Sequence, residues 1–213
     1  MRRTSDETKL KERRGQGEGA NYRPWINASE FSSNGTACKF VDWKHGRTIQ
    51  LLSQGELHLY CQLRWNDQVI DIREQFPLNL QKTVEIADNL HVRHPKNKHT
   101  HMTTDFLVTM ADGRYVAYSY KSNRHMVYGN SSESLRTKEK LEIEKNYWNS
   151  LGINWNLIFP DDIDHVLVRN IINVVPYYDC SHTFDQISMV KHLIAQKKLI
   201  VDMHKVIDFR KYI

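Results

Sequence analysis

The segment His101–Asn123, HMTTDFLVTMADGRYVAYSYKSN, constrains the fold more than any other part of the 213-residue chain. Apolar and polar residues alternate on both sides of Ala111-Asp112-Gly113, the pattern of two antiparallel strands about a tight turn. The first strand opens with a carboxylate, Asp105, and the second closes with an ammonium, Lys121. Turn length decides whether the two meet. A two-residue Asp112-Gly113 loop sets Asp105 opposite Tyr120, and alternation then sends Asp105 and Lys121 to opposite faces. A three-residue loop gives Gly113 the left-handed position, pairs Met110 with Arg114 and Asp105 with Ser119, and places Asp105, Ser119 and Lys121 on one face. Asp-Gly at the end of the loop favours this second register. Phe106, Val108, Val116, Tyr118 and Tyr120 then make the apolar face. On spacing alone an ordinary cross-strand Asp–Lys pair, worth less than about 1 kcal/mol if exposed, is the plainer reading.

The flanking elements follow from local signals. Ser53 and Glu56 in LSQGEL form a capping box, with Leu52 and Leu57 placed for a hydrophobic staple, and predict a helix over about Gln54–Trp65. QVIDIREQFPL alternates and stops at Pro77, as a strand does. LQKTVEIADNL fits helix and strand equally. SSESLRTKEKLEIEKNYWNSLG has a Ser cap and a Gly stop at Gly152, and INWNLIF alternates again. PDDIDHVLVRNIINVV starts a helix at an Asp cap. FDQISMVKHLIAQ predicts a further helix, and KKLIVDMHKVIDF a basic, strand-like end. Residues 21–52 look irregular up to a strand-like TIQLL. A soft boundary falls near Phe159–Asp164. The expected organisation is an arm over 1–20, a catalytic domain over 21–160 and a small C-terminal DNA- or partner-binding region over 161–213.

With 40% apolar residues the chain can bury a core, and its longest apolar runs fall short of a membrane span. The net charge of +5 permits nucleic-acid binding without demanding it. Cys38, Cys61 and Cys180 are too scattered for a disulfide framework or a CxxC site, so a reducing cytoplasm is the expectation. Residues 1–20 hold six Arg or Lys and four Asp or Glu with little to bury, the composition of a flexible arm, solvated or touching DNA or a partner. The acid-free stretch Asn89–Thr104 offers Arg93, Lys96 and Lys98 to DNA phosphates. Its four histidines lack the cysteine partners or helical spacing of a zinc site. Glu74 is expected to pair with Arg73 or Arg64, or to lie near the active face. Lys191, Lys197 and Lys198 fit a DNA-facing or a plainly solvated helix face.

An acid and a base brought together at one end of a hairpin suit metal-dependent phosphodiester cleavage. Carboxylates hold a divalent cation, and a lysine orients water or steadies charge on the phosphate. Glu56, near the start of a preceding helix, is the best second carboxylate; it is equally the acid of its own capping box.

The order Glu56, then Asp105 and Lys121 on one hairpin, resembles the PD-(D/E)xK nucleases. More narrowly, RRGQGEGANYRPW, LLSQGELHLYCQLRWNDQVIDIREQFPL, HMTTDFLVT, VAYSYK and KLEIEKNYWNSLGINW resemble the TnsA family, the endonuclease subunit of heteromeric cut-and-paste transposases. The resemblance covers about residues 10–160. It implies a restriction-endonuclease-like α/β fold, a mixed sheet flanked by helices with a small, mainly helical C-terminal extension. It implies Mg²⁺-dependent cutting, with Mn²⁺ as a substitute, of the 5′ strand of double-stranded DNA at transposon ends. The implied partners are an integrase-like transposase and an AAA+ ATPase regulator, in a prokaryotic cytoplasm and away from membranes. Glu56 and Asp105 become metal ligands and Lys121 the catalytic lysine. Two departures stand out. Ser119 occupies the place where the general motif has Glu or Gln, and only about fifty residues follow Phe159, where family members commonly carry a larger region resembling a winged helix. A free-standing nuclease of the same fold and a non-catalytic DNA-binding scaffold subunit remain as alternatives.

Overall fold

The computed structural model describes residues 4–30, 36–95, 100–179 and 185–213. A short helix α1 (Asp6–Lys11) leads to a two-stranded hairpin, β1 (Cys38–Val41) with β2 (Thr48–Leu51). Helix α2 (Gln54–Trp65), strand β3 (Val69–Pro77) and helix α3 (Leu80–Asn89) follow. The central hairpin is β4 (Thr103–Met110) and β5 (Tyr115–Tyr120). After a single helical turn, α4 (His125–Tyr128), the long α5 (Ser132–Ser150) returns the chain to β6 (Asn154–Ile158). Helices α6 (His165–Val174) and α7 (Gln186–Ala195) close the described fold.

Strands β3-β4-β5-β6 form one mixed sheet, antiparallel except for β5 with β6. A parallel neighbour requires a crossover connection, and α4 and α5 supply it. Helices cover both faces. Ile72, Phe106 and Val108 of the sheet pack with Ile49, Leu51, Leu59 and Tyr60, and with Leu167, Ile171, Val190 and Ile194 of the C-terminal helices. On the other face Leu107 and Ala117 pack with Ile86, Ile143 and Trp148. The expected boundary near residue 160 coincides with a tight turn at Pro160–Asp162, yet α6 and α7 share one continuous core with α2 and the sheet.

The hairpin takes the three-residue register. Met110 N–H donates to Arg114 C=O at 2.8 Å, Gly113 N–H donates to Met110 C=O at 2.9 Å, and Phe106 pairs with Tyr118. Gly113 has φ +84°, a conformation that side chains with a Cβ rarely adopt. The ambiguous LQKTVEIADNL is helix, started by Asn79, whose side chain accepts from Lys82 N–H.

Three expectations require correction. Residues 4–20 are no loose arm: the Asp6 carboxylate accepts from His101 N–H at 2.7 Å and lies 2.8 Å from His101 Nδ1, while Arg14 pairs with Glu30 at 2.6 Å. Residues 21–52 contain a second hairpin, because β1 finds a partner in β2. The basic end forms no strand among the described residues; Asn170 Nδ2 donates to the carbonyls of Met203 and Lys205, and Leu199, Val201, Ile207 and Phe209 pack separately on the main core. Alternation there lacked a partner strand, and a helix side chain took acceptors that a sheet would have used. Among the described residues no helix is long and apolar enough to cross a membrane.

Candidate active site

The β4–β5 ladder stops at Phe106–Tyr118, where Asp105 and Ser119 would pair next. The strands splay there, and the side chains take over the hydrogen bonds. Asp105 Oδ2 accepts from Tyr120 N–H at 2.7 Å. Tyr120 C=O accepts from Lys121 Nζ at 2.9 Å, and Lys121 N–H donates to Ile158 C=O of β6 at 3.0 Å. No ion pair within 4.0 Å joins Asp105 to Lys121 among the described residues, so an ordinary cross-strand salt bridge is not what brings them together.

Glu56 approaches from α2. Ser53 Oγ accepts from Glu56 N–H at 3.1 Å, as the capping box requires. The Glu56 carboxylate accepts from Leu52 N–H at 2.9 Å, from Ser53 Oγ at 3.2 Å and from Gln75 Nε2 at 3.2 Å. Gln75 is buried mid-strand with φ +48°, a rare conformation for a residue with a Cβ. The turn in the backbone directs its amide to Glu56.

A fourth group arrives from α5. Glu144 is 5% exposed, and its Oε1 accepts from Ser119 Oγ at 2.5 Å and from the Thr104 hydroxyl. Ser119 therefore acts as a donor that holds a carboxylate. Burial, and then the Asp105 charge, push Glu56 up to about 8 and Glu144 up to about 7, while Lys121 pulls both down. Three acids share one neighbourhood with one lysine, and burial first, then the nearby Asp105 carboxylate, disfavour the charged forms of Glu56 and Glu144.

Glu56, Asp105 and Lys121 are thus brought together. Arg93 is exposed after α3, with its carbonyl accepting from Arg136; Lys96 and Lys98 lie outside the described residues. Glu74 departs from expectation: it is fully buried and accepts a two-pronged bond from Arg47 at 2.7 and 2.8 Å, because β2 lies beside β3. Lys191 stacks over Tyr177 and Phe209, and Lys197 over Trp65, so these amines are used within the fold. Sequence reasoning missed Glu144 and Gln75. Glu144 had a signal: it falls with Leu141 and Trp148 at helical spacing, a charge on a core-facing stripe.

Oxygen donors with unbalanced negative charge fit a hard divalent cation. Among the described residues no three His, Cys, Asp or Glu side chains converge as a cation cage; Glu56 and Glu144 accept from protein donors.

A mixed sheet with helices on both faces defines a restriction-endonuclease-like α/β protein. The family pattern described as TnsA-like endonuclease N terminal matches residues 66–159. The chain is 33% identical over 207 residues to the transposon Tn7 transposition protein TnsA of Escherichia coli, covering 94% of this chain and 74% of that protein. This chain belongs to the TnsA family, and that membership supports a nuclease subunit of a transposase.

Proposed function

We propose that the chain hydrolyses one DNA strand, on the 5′ side, at transposon ends, alongside an integrase-like transposase and under an AAA+ ATPase regulator. What supports this most is the meeting of Glu56, Asp105, Glu144 and Lys121 where the hairpin splays. Glu56, Asp105 and Glu144 would hold Mg²⁺, or Mn²⁺ in its place. When bound, the cation polarises a phosphoryl oxygen and acidifies a water. The Tyr120 amide fixes the Asp105 carboxylate, and Gln75 and Ser53 fix Glu56. Ser119 and Thr104 hold Glu144, which supplies the carboxylate that Ser119 cannot. Lys121, held by the Tyr120 carbonyl, is placed to reach the phosphate. Arg93, Lys96 and Lys98 contact the DNA backbone, and residues 161–213 serve the partners.

The test incubates the chain, its transposase partner and transposon-end DNA with Mg²⁺ and maps the nicks. Nicks confined to the 5′ strand and lost in Asp105→Ala are expected. Equal cutting by Asp105→Ala overturns the assignment, and cutting without any partner favours a free-standing nuclease.

A further inference from the structure

Four contacts around the site run through Tyr120. Its N–H holds Asp105, and its carbonyl holds Lys121 Nζ. Its ring packs at the margin of the main core, and it lies over Gly55, the residue before Glu56. A Cβ built on Gly55 would lie 2.0, 2.1 and 2.2 Å from Tyr120 Cζ, Cε1 and Oη. Carbon atoms in contact stand about 3.5–4.0 Å apart, so the Tyr120 ring and a side chain at position 55 cannot share this place: either the ring swings off its seat or α2 and β5 move apart. Glycine carries a conformational cost within a helix, and the close approach is what offsets it.

We infer that Tyr120 is a positioning residue of the nuclease site and that Gly55 is its seat. The ring fills the notch left by the missing side chain and sets how far α2 stands from β5. That spacing fixes where Glu56 meets Asp105 and Lys121. Tyr120 touches no reacting atom in this role; it acts through the three groups it aligns. The inference rests on the nuclease reading above and adds the pair that determines the geometry of that site.

The full chain is tested as Gly55→Ala, Tyr120→Phe, Tyr120→Val and the double variant Gly55→Ala/Tyr120→Val. Each is measured by thermal melt, by Mn²⁺ calorimetry on metal-stripped protein, and by kcat and KM for nicking transposon-end DNA. Tyr120→Phe keeps the ring and should match the parent. Gly55→Ala and Tyr120→Val should each weaken Mn²⁺ binding and lower kcat by about 10–100-fold, with KM for DNA unchanged. In the double variant the added methyl occupies the vacated space, and Mn²⁺ affinity should return to within about 3-fold of the parent, a recovery that relieving the steric conflict predicts. A role confined to stability would shift the melt and leave Mn²⁺ affinity of the folded protein unchanged. Wild-type Mn²⁺ affinity in Gly55→Ala, or a double variant no better than its worse parent, overturns the inference. Should Gly55→Ala fail to fold, unchanged Mn²⁺ affinity in Tyr120→Val overturns it alone. Asp105→Ala runs in parallel: if it cuts normally the nuclease reading falls, whereas a dead Asp105→Ala beside normal Gly55 and Tyr120 variants removes only the positioning role.

Discussion

Two clusters of buried charge lie on this fold, and they are built on opposite plans. In the first, Arg47 grips both oxygens of Glu74 and donates to Ile72 C=O, while Gln50 N–H adds a bond at 3.0 Å. Close by, Arg64 pairs with Asp42 at 2.9 Å. Each acid there has its own base. In the second, Glu56, Asp105 and Glu144 share Lys121, and none forms an ion pair with it. In the first cluster each carboxylate is matched by a guanidinium; in the second three acids face one amine, a set that a cation from outside would balance.

The contrast can be broken by mutation. Asp105→Ala should reduce nicking by at least about 100-fold while the urea midpoint stays level or rises, because one like charge is removed. Glu74→Ala should do the reverse, costing about 3–5 kcal/mol in urea unfolding by leaving Arg47 buried without its acid. A destabilised Asp105→Ala protein that still cuts would erase the distinction.

Acid titration sharpens it, since paired and unpaired acids have opposite signs. Burial and Asp105 raise Glu144 to about 7 from an ordinary 4.5. Between those values the fold keeps a proton that the unfolded chain has lost, so stability of the metal-free protein falls as pH rises through that window. The loss is about 3 kcal/mol for this group, and Glu144→Gln should flatten the slope in urea melts with chelator. Glu30 runs the other way. Burial would raise it, but hydrogen bonds from Arg14 and Thr4 bring it down to about 2. Its contribution is present above pH 4.5 and fades as pH falls towards 2, which hydrogen exchange over residues 4–30 should register as early opening. The smallest effect belongs to Gly113→Ala, expected to cost about 1 kcal/mol through its positive φ without altering the cut.

The hairpin was legible because turn chemistry fixes register: Asp112-Gly113 places Asp105 and Lys121 in the same neighbourhood by local rules alone. The Ser53 cap of α2 was legible for the same local reason, although the Glu56 carboxylate turns to Leu52 N–H and not to the Ser53 N–H of a full capping box. What escaped depends on neighbours distant in sequence. Arg47 lies 27 residues from Glu74, and only the β2–β3 approach joins them. The Ser119–Glu144 bond spans 25 residues, from a strand to a helix. Gln75 gives no sign in sequence that its backbone will turn left-handed. Shared faces were predicted from strict alternation, and alternation fails where the strands part. There Asp105 turns to a backbone amide, and Ser119 to a helix.

The core that seats α2 draws on residues from Trp43 through to Met203. During synthesis the β3–β4–β5 meander needs only near neighbours, and β2 and the sheet already cover part of the apolar side of α2, but the rest waits for the last helices. The seating of α2, and with it the final place of Glu56, is complete only then. A nascent chain would carry Asp105 and Lys121 in register well before it had a finished acid cluster able to cut DNA.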